Sequence, residues 1–153
     1  MKAMIIQTFM GCIGAVGFAL LFNIRDRKLI WIGVGGTLGW TAYLLCISMG
    51  ENVFTSLFFA TATVVTFSEV LARLIKAPII MLMVPMLIPL IPGGDLYYTM
   101  RFFIENKYSY FGESARLLLV QAGAIAVGII TMTSVMSMLF KLIYRYKNLR
   151  AQK

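Results

Sequence analysis

The sequence predicts an all-α integral membrane fold of about five transmembrane helices, the fourth broken by proline and glycine. Three observations carry this reading. Hydrophobic residues make up 60% of the 153 and charged residues 13%, with a mean hydropathy of +0.86. A water-soluble domain of this length needs far more polar surface. Several uncharged stretches approach or exceed the roughly 18–20 residues that cross a bilayer at about 1.5 Å per residue. Finally, the apolar stretch Val84-Pro-Met-Leu-Ile-Pro-Leu-Ile-Pro-Gly-Gly-Asp-Leu-Tyr-Tyr-Thr-Met100 carries three prolines within eight residues, then two glycines. Each proline removes a backbone donor and clashes with the preceding turn, so a regular helix cannot run through it.

Span one is expected over 4–22, from Met4 to Phe22. It reads as a retained helix and not a cleaved leader, because it is too long for a signal-peptide core and no A-x-A site precedes Asn23. The turn Asn23-Ile24-Arg25-Asp26-Arg27-Lys28 leads to span two, 29–49, and Gly50-Glu51-Asn52 leads to span three, 53–72, closed by Arg73 and Lys76. Span four is expected over 77–100. A helix from Ala77 to Ile91 covers only about 22 Å, so the crossing must continue through broken backbone around Pro92-Gly93-Gly94. A polar loop, roughly Arg101–Ser114 with Glu105, Lys107 and Glu113, precedes span five, 115–140. A basic tail, 141–153, holds Lys141, Arg145, Lys147, Arg150 and Lys153, and the whole of 1–153 reads as a single transmembrane domain.

The net charge of +8 does not point to nucleic acid, because the basic residues sit in short loops and the tail without interleaved aromatics. They set orientation. With five spans, the Arg25/Arg27/Lys28 turn, the Arg73/Lys76 turn and the tail share one side and hold ten of the fourteen Lys and Arg. The positive-inside rule then puts the N-terminus outside and the C-terminus in the cytoplasm of a cell membrane. A four-span arrangement, with 29–49 not crossing fully, puts both termini on one side.

Glycines mark packing faces, since lipid tails give helices little hydrophobic reason to associate and small residues let backbones approach. Gly11, Gly14 and Gly17 lie along span one, Gly35 and Gly39 along span two, and Gly128 with Ala124 along span five. The same faces also suit a seam with a partner subunit.

The chemistry available is narrow. Histidine is absent, and Cys12 and Cys46 lie apart in apolar spans, so neither a metal site nor a cofactor is expected. No nucleophile–base pair assembles, and the glycines at 33, 35 and 36 follow no strand and are not a phosphate loop, so an enzyme is disfavoured.

Non-helical backbone at membrane depth is tolerated only where it is buried in protein or lines a wet cavity, and transporters use such broken helices to build solute sites. On that reading Pro85, Pro89, Pro92, Gly93, Gly94, Asp95, Tyr97, Tyr98 and Thr99 line a substrate pathway. A kinked helix without a site is the plainer alternative. Asp95 is either set within the membrane, where a carboxylate must be paired, hydrated or protonated, or solvated near the surface. Glu69 is the second candidate for proton coupling, although Arg73 four residues on shares its helix face and offers a structural partner. Gln121, Thr61, Thr63, Thr66 and Ser68 either hydrogen-bond across helices or line a polar path.

The segment Pro89-Leu-Ile-Pro-Gly-Gly-Asp-Leu-Tyr-Tyr-Thr-Met100, supported by Ala15-Val-Gly-Phe-Ala-Leu-Leu-Phe-Asn23, resembles the threonine/serine exporter family in its short, second-subunit form. The resemblance covers most of the chain in length and hydropathy layout, with the sharp motif confined to the Pro-Gly-Gly segment. It implies a split transporter: a larger subunit carries a soluble hydrolase-like region and the remaining helices, and a chain like this one completes the membrane part. It further implies export of threonine and serine, or of a dicarboxylate such as succinate as associated with split pairs, driven by the proton-motive force. Pro89, Pro92, Gly93 and Tyr98 match the motif, whereas Asp95 is not carried over from it. The expected partners are the larger subunit, the lipid bilayer and an amino-acid or small carboxylate substrate. The rival expectation is a non-transporting scaffold or assembly subunit.

Overall fold

Four helix ends in this chain are built the same way. Asn23, Gly50, Lys76 and Asn106 each adopt a left-handed backbone (φ 57°, 87°, 53° and 56°). The following residue then donates its N–H five residues back: Ile24 to Ala19, Glu51 to Cys46, Ala77 to Ala72 and Lys107 to Phe102. This is the Schellman closure, which satisfies carbonyls that a helix end would otherwise leave unpaired. Asparagine and glycine tolerate that conformation and lysine does not, so Lys76 is the strained member.

The structure, a computed structural model, describes residues 2–151. Six helices follow in order: α1 Lys2–Leu21, α2 Lys28–Ser48, α3 Val53–Leu74, α4 Ile79–Leu87, α5 Gly93–Ile104 and α6 Tyr108–Ala151, with a 3-10 turn Ile88–Leu90 between α4 and α5. Asn52 caps α3, its Oδ1 accepting from the Thr55 N–H and hydroxyl, both at 2.9 Å. Four helices are long and apolar enough to cross a membrane, and a fifth crossing exists if α4 and α5, bent by 60°, count as one. The chain is an all-α, multi-pass membrane protein.

The helices differ from the expected layout in three places. The polar loop expected over Arg101–Ser114 shrinks to Glu105-Asn106-Lys107, because α5 continues to Ile104 and α6 begins at Tyr108. Span five, expected over 115–140, is the middle of a 44-residue helix about 66 Å long, more than twice the apolar thickness of a bilayer. The basic tail therefore continues α6 as far as Ala151; Lys153 lies outside the described residues. The backbone break is also narrower than expected. Pro78 caps α4, Pro89 falls in the first turn of the 3-10 segment and Pro92 caps α5, all places where a missing N–H costs little. Only Pro85 lies inside a helix. Gly93 and Gly94 form the first turn of α5, leaving Ile91-Pro92 as the break.

Helices α1, α2, α3 and α4 form the central body, with Ala15, Ala19, Ile32, Ala60, Val64, Leu82 and Met86 buried in its core. Among the described residues, helix α6 packs on α3 and α5 alone, and α5 on α6 alone. The body depends on close backbone approach. A Cβ added to Gly36 sits 2.5 Å from the Ala15 Cβ, one at Gly39 collides with Val64, and one at Gly35 collides with Met86. Gly11 meets the Trp40 Cβ and Gly128 the Thr61 Cβ, each at 3.0 Å, and Gly14 touches Pro89 at 3.7 Å. Gly17 differs from its expected role. It is exposed and has nothing within 4 Å, because the buried stripe of α1 runs through Gly11, Ala15 and Ala19 at every fourth residue.

Candidate functional site

The break lies at mid-depth in the bundle. A Cβ at Gly39 meets both Val64, in the middle of α3, and Leu90 of the 3-10 turn at 3.6 Å. Pro89 faces α1 and α2, where a cleft of about 260 Å³ is lined by Gln7, Gly11, Gly14, Trp40 and Ile88. Trp40 Nε1 is buried without a partner.

Beyond the break, α5 turns toward α6. Asp95 stands in its first turn, where the positive end of the helix dipole favours a carboxylate. Asp95 Oδ2 accepts a 2.8 Å hydrogen bond from Gln121 Nε2 of α6, 26 residues away in sequence. Gln121 is 8% exposed, and its Oε1 is buried with no partner. Thr99 is buried one turn further along α5 and donates its hydroxyl to the Asp95 carbonyl at 2.7 Å. Tyr43 of α2 packs on Trp40 with ring centroids 5.4 Å apart. Among the described residues, no Lys or Arg forms an ion pair with Asp95. Its depth follows from the helix register. Gly128 meets Thr61, and Gln121 lies seven residues earlier on α6, about 10 Å along the axis. The Asp95–Gln121 pair is therefore close to the Asn52 end of α3.

The other expected pathway residues disperse. Pro85 is buried within α4. Tyr97 and Tyr98 are exposed and packed edge to face, and Tyr98 stacks on Phe102. Gly93 and Gly94 are exposed, and an added Cβ at either meets nothing within 4 Å.

Glu69 stands apart from all of these. It is 3% exposed and paired with Arg73, whose guanidinium also donates to the Glu69 carbonyl at 2.7 Å and lies 3.7 Å over the Phe140 ring of α6. Phe140 is 19 residues beyond Gln121 on the same helix, about 28 Å along it. The two carboxylates thus belong to opposite ends of the bundle and cannot form one site.

The model of the family described as "Threonine/Serine exporter, ThrE" matches residues 7–135. The chain belongs to the threonine/serine exporter family. No solved structure matches it. The matched region spans α1 to most of α6 and includes both the break and the Asp95–Gln121 pair. The exporter's function is therefore transport across a membrane, of the threonine/serine exporter type. Sequence reading had Gln121 only as one of several polar residues. The missing signal was its partner, because a bond spanning 26 residues depends on how α5 is bent.

Proposed function

We propose that this exporter chain is the small subunit of a two-component secondary transporter that exports threonine and serine, with flux coupled to protons at Asp95. The observation that carries the proposal is the Asp95–Gln121 bond beside the α4–α5 break. An ionised carboxylate only accepts, so the Gln121 amide presents Nε2 to it; a protonated carboxyl donates, and the amide serves it by turning Oε1 toward it. Both protonation states keep a partner, which suits a carboxyl that exchanges protons during a transport cycle. Glu69, held by Arg73, is the weaker proton-coupling candidate.

Support for a second component comes from the outer helices. Among the described residues helix α5 rests on α6 alone, and its exposed Tyr97, Tyr98 and Phe103 form the face that a second chain would cover in the proposed complex. The larger subunit, with its hydrolase-like region and remaining helices, is the proposed source. The proposed orientation keeps the N-terminus outside and the C-terminus in the cytoplasm of the cell membrane, on the loop charges.

Efflux of labelled serine, threonine and succinate from cells expressing this chain, with and without the larger subunit, tests the proposal. Export of the amino acids only with both chains is expected. Export of succinate alone would move the substrate to dicarboxylates. Absence of flux from a stably assembled complex would leave a scaffold role.

A further inference from the structure

We infer that Gln121 Oε1 and the free oxygen of Asp95 form an acceptor pair that binds the primary ammonium group of the transported solute. This deepens the proposed export function and rests on it.

The pair carries more acceptors than donors. Gln121 Nε2 is committed to Asp95 Oδ2, and its buried Oε1, on the same planar amide, has no donor. A buried acceptor left unpaired costs about as much as a lost hydrogen bond, and unpaired groups of this kind in folded proteins ask for a reason. The carboxylate has no cation beside it among the described residues. What is missing is therefore a compact, positively charged group with several N–H donors, which describes a primary ammonium. A carboxylate ligand would add a further acceptor and a like charge.

Access fits as well. Asp95 is half-buried, near the Asn52 end of α3, and the turn before it is Gly93-Gly94 with open space where side chains would stand.

The test is equilibrium binding of labelled L-serine to membranes holding this chain assembled with its larger subunit, alongside efflux from the same cells. Unlabelled threonine and ethanolamine should compete, whereas N-acetylserine and succinate should not. Gln121→Met, which keeps the length and removes the carbonyl, should weaken serine binding roughly tenfold, and Asp95→Asn roughly ten- to hundredfold, as expected for a neutral and a charged hydrogen bond. Gln121→Asn retains a carbonyl and should recover part of the loss, which a purely structural role would not produce. Competition by N-acetylserine equal to that of threonine, or unchanged serine binding by assembled Gln121→Met, overturns the inference while export stands. Binding and export of succinate without serine overturns it too. A wild-type complex that binds and exports none of these solutes removes the export reading itself, and this inference with it.

Discussion

Gln121 of α6 holds the carboxylate of Asp95 on α5 at 2.8 Å, and this bond is the polar link between the broken segment and the long helix. Asparagine at position 95 can still accept from the Gln121 amide but cannot carry a proton. Asp95→Asn is therefore expected to assemble normally and lose proton-driven efflux, while Asp95→Leu loses assembly as well. Efflux with an imposed pH gradient, read beside co-purification, checks this. Undiminished proton-driven efflux by Asp95→Asn would remove Asp95 as the coupling residue.

The glycines of α1 and α2 give a graded prediction. Gly36→Leu must force apart α1 and α2 at Ala15, and overpacking of this kind costs about 1–3 kcal/mol. Gly17→Ala meets nothing and replaces a poor helix former, so its effect should be neutral or stabilising by up to about 1 kcal/mol. Thermal unfolding of the detergent-solubilised protein should rank them in that order.

Lys76 pays the steric cost of a left-handed residue at the end of α3. Lys76→Gly should raise stability by about 1 kcal/mol. No gain in the unfolding midpoint would mean that the lysine is compensated elsewhere.

The Glu69–Arg73–Phe140 contact predicts an asymmetry between two substitutions. Arg73→Ala leaves a buried carboxylate unpaired, which costs about 3 kcal/mol or more. Glu69→Gln removes the charge and keeps the polar contact, so it should be milder in unfolding assays. If Glu69 is structural, efflux per assembled complex is unchanged by Glu69→Gln; lost proton dependence would assign it the coupling role instead.

The α5–α6 turn should respond to acid. Glu105 accepts from Lys107 Nζ and Arg101 Nε, each at 2.7 Å. Those donors, Lys107 first, hold its carboxyl below the ordinary glutamate range. The folded turn favours the charged form, so the contribution is complete above the unfolded pKa of about 4.3 and is lost as pH falls through the lower folded value. Amide exchange at residues 105–111, corrected for intrinsic rates, should accelerate only in that acid window, and Glu105→Gln should abolish the pH dependence.

Much of this protein was decided by the sequence alone, because the signals are local. Apolar runs longer than a bilayer define α1, α2 and α3, and Pro92 ends one helix and starts another wherever it is placed. The family was legible for the same reason, in the contiguous Pro89–Met100 motif. Tertiary structure decided the rest. Ser109, Gly112, Glu113 and Ser114 look like loop on composition, yet they are helical where α5 packs along α6. Gly11 is buried and Gly17 is not, because the rotation of α1 is set by its neighbours and not by its own spacing. Asp95 finds Gln121, and Glu69 is kept some five helical turns away, because a 60° bend and the register of α6 against α3 settle which distant side chains meet. Those are properties of whole packed helices, and no short stretch of sequence contains them.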